Sequence, residues 1–336
     1  MTDAGAPRKF MSEFAVNLPS ARWLMIPPSE LMRDDGEIDP EVAKLADVCH
    51  IYLICRRPAT SYDPDGFKFD GKRISGKLVY KIAGKPHELP FDIPFKLADG
   101  ASTVKLSAYP HRSIETCLPN GECVRYVPAS LMAAAQAPRG ELRQFEVLYV
   151  GQAYAEGRRS ALDRLKSHST LQRILADVLH KMPDDEIMLL TFEYPECTVI
   201  SSMDGTDKNA IRDESDAKRF PNILDNPLME HQRICLAEAG LIRYFTPPYN
   251  EIYKDSFPAS DQKILTNCYA LDFSGLIVEI DTEEFGMELY SQKVSASGHH
   301  IAQFDLIDPN SRRSFFTFLT KVGRPINFPD VIAPTR

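Results

Sequence analysis

The chain has 336 residues, 43% hydrophobic and 26% charged, an ordinary globular composition with apolar material for two packed cores in two or three domains, which excludes low-complexity or disordered chains. Its formal net charge of −8 excludes a diffuse basic footprint over the whole surface but leaves room for one basic groove. No run approaches the roughly 18 apolar residues of a membrane span, and the opening MTDAGAPRKFMSEF has no hydrophobic signal segment, so the expectation is a cytoplasmic protein with no membrane partner.

The seven cysteines (Cys49, Cys55, Cys117, Cys123, Cys197, Cys235, Cys268) are scattered, with no C-x-x-C pair and no histidine at zinc-ligand spacing. They read as free thiols in a reducing compartment, and a zinc site is not expected.

Residues 1–140 form a β-rich N-terminal region. HIYLIC at 50–55, KLVYKI at 77–82 and STVKLSAY at 102–109 are strand-like and are separated by the turn signals PDG, ADG and PNG. After Pro138-Arg139-Gly140 the pattern changes. FEVLYVG at 145–151 reads as a buried strand, and Ser160 with Asp163 resembles a helix capping box. Ser169 with Gln172 repeats that signature. Leu171, Ile174, Leu175, Val178 and Leu179 then follow amphipathic helical spacing, so two helices meet near His168.

EIMLLTFEY at 186–194 predicts a further strand. MDGTDKNAIRDESDAKRF at 203–220 is charged and apolar-poor and reads as a solvated loop. A helix is expected from about Pro227 to Phe245, stopped by Pro247-Pro248, which cannot donate the next amides. GLIVEID, ELYSQKV, HHIAQFDLI and RSFFTFLTKV make a β-rich C-terminal segment over 256–336, leaving 141–255 as the core.

Chemistry concentrates in that core. In YVGQAYAEGRRSALDRLKSH a Tyr-x-Gly strand end precedes Arg164 and His168, whose spacing of four residues puts both on one helical face, able to point at one phosphate. Between Tyr149 and Lys181 six Lys/Arg face three acids, a local excess of positive charge. Glu238 sits among Ile234, Leu241, Ile242 and Phe245 on the apolar side of its helix, where a carboxylate is costly unless it is paired or binds a metal.

YVG at 149–151, RLKSH at 164–168 and EAGLIRYFTPPYN at 238–250 together resemble the GIY-YIG nucleases in motif order, element type and polarity, over about 105 residues. The resemblance implies an α/β fold with a small central antiparallel sheet flanked by helices. It implies a metal-dependent endonuclease cutting DNA with Mg2+ or Mn2+ held by Glu238. Arg164 would neutralise the phosphate, Tyr149 or Tyr52 would deprotonate a water with His168 assisting, and Asn250 would complete the catalytic set. Arg158, Arg159, Lys166 and Arg173 would line the nucleic-acid groove. Restriction or phage defence is the implied setting, with a second copy of the chain or a defence-system protein as further partners.

Two departures stand out. About five extra residues around AEGRR follow YVG, and no GIY strand immediately precedes FEVLYVG. That strand is either displaced or missing. If displaced, HIYLIC is the nearest look-alike, Tyr52 is the first tyrosine, and nearly a hundred residues are inserted into the first hairpin.

Singly, each residue has an ordinary reading: Arg164 and His168 a surface pair, Glu238 a carboxylate reaching solvent, Asn250 a turn residue, Tyr149 a packed strand aromatic. A catalytically idle GIY-YIG-like scaffold that binds nucleic acid or protein is the alternative function. His299-His300 with Asp281, Glu283 and Glu284 lack ligand spacing and receive no role.

Overall fold

The structure is a computed structural model describing residues 10–32, 40–138, 140–154, 161–203, 205, 210–308, 312–319, 325–327 and 331–332. The chain opens with strands β1 (Ser12–Leu18) and β2 (Trp23–Ile26), helix α1 (Pro40–Val48) and strand β3 (Ile51–Pro58). β3, the HIYLIC run, is apolar at consecutive positions because both its faces are covered. Ile51, Leu53 and Cys55 enter one core and Tyr52 and Ile54 the other.

Residues 60–137 form a separate elaboration inserted after β3. Its strands are β4 (Thr60–Tyr62), β5 (Lys68–Phe69), β6 (Arg73–Ile82), β7 (Lys85–Pro94), β8 (Thr103–Leu106), β9 (Ser113–Cys117) and β10 (Cys123–Pro128), followed by helix α2 (Ala129–Gln136). Tyr62, Leu78, Phe91, Ile114 and Met132 fill a core of its own. β6 and β7 are a long hairpin closed at Ala83-Gly84. Across it Pro86, Pro90 and Pro94 stand opposite Lys81, Lys77 and Arg73. Arg57, fully buried on β3, joins the insertion to the main body by donating to the Ser130 and Leu142 carbonyls at 2.7 and 3.1 Å. One expectation fails here: Cys117 and Cys123, paired across β9 and β10, are joined as a disulfide. Opposed positions on a hairpin bring the sulfurs together at a spacing that no linear motif marks.

The chain returns through β11 (Gln144–Gln152), α3 (Ala161–Lys166), α4 (Ser169–Lys181), β12 (Asp185–Phe192), β13 (Thr198–Met203), α5 (Glu214–Ala217), α6 (Arg219–Asp225) and α7 (Glu230–Phe245). It ends with α8 (Thr266–Ala270), β14 (Gly275–Asp281), β15 (Glu288–Tyr290), β16 (His299–Asp305) and the short β17 (Thr317–Leu319), β18 (Pro325–Asn327) and β19 (Val331–Ile332). The molecule is mixed α/β with several small sheets. The sheet that matters for the site runs β15-β11-β3-β12-β2. Its neighbours are antiparallel except β15, which runs parallel to β11.

α4 covers one face of this sheet through Leu171, Ile174 and Val178. α7 covers the other through Ile234, Leu236, Leu241 and Phe245, and its far side meets a second sheet, β13-β1-β14-β16-β19. Gly240 permits that approach: a Cβ there would lie 2.7 Å from Val278 Cγ2. The segments bounded at 140 and 255 therefore interlock. β15 lies in the sheet with β11, and β14, β16 and β19 share a sheet with β1 and β13.

The solvated loop expected over 203–220 is only partly so. Asp213 caps α5 by accepting from the Ser215 amide at 2.9 Å. Asp216 and Arg219 are buried, with Arg219 lying over the Phe10 and Phe14 rings and donating to the Ser12 and Asp272 carbonyls. Of the charges that suggested solvent, Asp216 and Arg219 belong to an internal ion network, while Arg212, Asp213, Glu214 and Lys218 are exposed. Among the described residues, no helix is long and apolar enough to cross a membrane.

Candidate active site

The site forms where β3 and β11 run side by side, with Tyr52 opposite Gly151 and Leu53 opposite Val150. Simple alternation along β11 would send Tyr149 to the α7 face with Phe145 and Val147. A register shift between Val147 and Tyr149 prevents this. The extra residue rotates the strand, so Val150 stays in the α7 core while Leu148 and Tyr149 turn toward Tyr52. The two tyrosine rings then lie 6.2 Å apart, nearly parallel. Gly151 makes room for both: a Cβ there would sit 2.6 Å from the Tyr52 hydroxyl and 2.7 Å from Tyr149 Cε1.

Arg164 and His168 do not share one helix. α3 ends at Lys166, and His168 is the N-cap of α4, in place of the expected Ser169. Its Nδ1 accepts from the Leu171 amide at 3.2 Å, and its Nε2 lies 3.3 Å from the Tyr52 hydroxyl. An amide can only donate, so Nδ1 carries the lone pair and neutral His168 donates Nε2–H to Tyr52. Burial, aided by the Arg164 charge, lowers the His168 pKa and keeps the ring neutral. The Tyr52 hydroxyl lies beside the Tyr149 phenol and within the influence of the Arg164 guanidinium. Burial raises both phenol pKa values while Arg164 pulls them down. Tyr52 is 1% exposed and Tyr149 partly open, so Tyr149 is the outer end of this chain.

Glu238 reaches the same end of the sheet from α7. It is partly buried, and burial pushes its carboxyl up to about 7. Gln152 Nε2 donates to its Oε2 at 2.8 Å. Among the described residues no cation pairs with this carboxylate, and the other oxygen suits a hard divalent ion. Among the described residues the one group of three ligand-type side chains lying close together is Glu115 with Cys117 and Cys123, away from Glu238, and both its sulfurs are spent in the disulfide.

Asn250 is buried and fully engaged. Its Oδ1 accepts from the Val150 amide at 2.9 Å and its Nδ2 donates to the Val150 carbonyl at 2.8 Å. The carboxamide stands in for a neighbouring strand along the free edge of β11, and the Tyr249 amide adds a bond to the Leu148 carbonyl at 3.2 Å. Asn250 therefore positions the bulged strand rather than facing a substrate. The loop carrying it leaves α7 through Thr246, which is left-handed at φ 46.

The structure thus gathers Tyr52, Tyr149 and His168 into one cluster under the charge of Arg164, with Glu238 beside the strand end and Asn250 behind it. Lys166 and Arg173 are exposed, and Arg173 lies over the Tyr249 ring at 5.6 Å. Arg158, Arg159 and the cap at Ser160 lie outside the described residues. Gln152 was missed by sequence reasoning; a polar residue directly after YVG, pointing to the Glu238 face, was its only signal.

Searches against protein-family models, curated proteins and solved structures find no match to this chain. The geometry of the site is what remains to define its chemistry.

Proposed function

We propose that the chain is a GIY-YIG-type endonuclease that hydrolyses phosphodiester bonds of DNA with Mg2+ or Mn2+, in restriction or phage defence. The observation that carries this reading is the convergence of Tyr52 and Tyr149, from strands far apart in the chain, on His168 and Arg164. The idle-scaffold alternative was motivated by a missing partner strand before YVG, and β3 supplies one.

Glu238 is the residue that would hold the ion, its donor set being one free carboxylate oxygen beside a neutral amide. A divalent ion bound there supplies Lewis-acid polarisation of the phosphoryl oxygen. Arg164 is placed to neutralise the charge that builds on the phosphate. Tyr149, the outer phenol, meets the attacking water. Its deprotonated form is stabilised by the Tyr52 hydroxyl, which is polarised by His168 and Arg164. His168 serves here as a hydrogen-bond donor, because its Nδ1 is committed to the α4 amide. Lys166 and Arg173 would meet neighbouring phosphates.

The test is cleavage of a labelled DNA duplex in Mn2+. Glu238→Ala is expected to fall to background with an unchanged circular dichroism spectrum, and wild-type rates in that variant would overturn the proposal.

A further inference from the structure

Resting on the reading of Glu238 as the metal ligand, we infer that Gln152 is the positioning residue that aims this carboxylate and sets the affinity of the site for its ion. The β11 bulge separates the two sides of the site: Tyr149 faces α4, while Gln152, like Val150, faces α7. Glu238 must therefore act across the end of the sheet from a helix on the opposite face to the tyrosines. Its side chain rotates about three bonds, and something must hold it.

The Gln152 carboxamide does so. Its Nε2 lies 2.8 Å from Glu238 Oε2. The ionised carboxylate that binds a cation only accepts, so in that form the amide turns Nε2 toward Glu238. Cys235, one turn earlier on α7, braces the other side: its Sγ is 3.5 Å from Gln152 Nε2 and 3.7 Å from Oε1. With Oε2 tied back to β11, Oε1 is the oxygen left to face an ion. Gln152 acts on the metal through the ligand and touches no reacting atom.

Loss of an outer partner of this kind typically weakens metal binding about 10–100-fold. The experiment titrates the full chain with Mn2+ and reads the free ion by electron paramagnetic resonance, with no substrate present. Gln152→Met, equal in length but without a donor, is expected to weaken binding by that factor. Gln152→His, which keeps a donor, should stay within a few-fold of wild type. Gln152→Ala replaces the methionine variant if circular dichroism shows misfolding. Wild-type affinity in the donor-less variant overturns the inference while the parent reading stands, provided that Glu238→Ala has lost the ion. Equal weakening in the methionine and histidine variants also overturns it, because packing and not the donor would then be the cause. If the wild-type chain binds no Mn2+, or Glu238→Ala binds it unchanged, the parent reading fails and takes this inference with it.

Discussion

At the scale of single residues, Glu238 is the position where sequence and structure agree most closely. A glutamate among Ile234, Leu241 and Ile242 is a visible conflict, and its cause is physical: the carboxylate sits where charge is disfavoured. Because its folded pKa of about 7 lies above the ordinary value of 4.5, the native state binds the extra proton between those values. Stability is therefore full below the ordinary pKa and is lost as pH rises through about 7. In metal-free buffer, Glu238→Gln should melt close to wild type at pH 5 and clearly above it at pH 8. An equal melting-temperature difference at both pH values would show that Glu238 does not titrate in this window. His168 stands out in the sequence as a candidate four residues after Arg164, but its structural place does not, because no spacing rule reveals that its ring caps α4. Serine, threonine, aspartate and asparagine are the usual caps, so the sequence points to Ser169 instead.

At the scale of elements, the strands at 51–58 and 144–152 are evident as apolar runs, but their pairing is not, since periodicity does not say which strand adjoins which. The bulge at Leu148 is hidden for a related reason. FEVLYVG is apolar at almost every position, so a phase slip between the two faces leaves no mark on the pattern. The loop after α7 holds that bulge, and Asn250 is its clasp. Asn250→Ala would leave the Val150 amide and carbonyl buried and unpaired, at a cost of about 2–4 kcal/mol. Urea denaturation measures this, and a loss below about 0.5 kcal/mol would show that water or the backbone replaces the side chain.

At the scale of the molecule, the order of β-rich and helical segments is legible, whereas their interlocking is not. The second sheet joins β1 near the start of the chain to β14 and β16 near its end, a long-range choice that no local pattern encodes. Charged side chains secure the junction. Glu13, fully buried, accepts from Arg312, which also donates to Asp272 at 2.7 Å, and Asp272 pairs with Arg219 at 3.0 Å. Arg312→Met would strand the Glu13 charge and destabilise the fold by about 3–5 kcal/mol. Adding Glu13→Leu should recover most of that loss in the denaturation midpoint; no recovery would mean that the guanidinium acts by packing alone.

The proline-studded hairpin of the insertion has a consequence for how the protein behaves among its own copies. Along β7 the residues opposite Arg73, Lys77 and Lys81 point their main-chain amides outward, and proline occupies each of those places. The outward positions between them are Glu88 and Asp92, paired with Lys77 and Arg73. A strand arriving from another molecule would find three missing donors and two carboxylates where a ladder should begin. The longest hairpin of the elaboration thus ends its sheet, and crowding in solution gives it no template from which to grow a fibre.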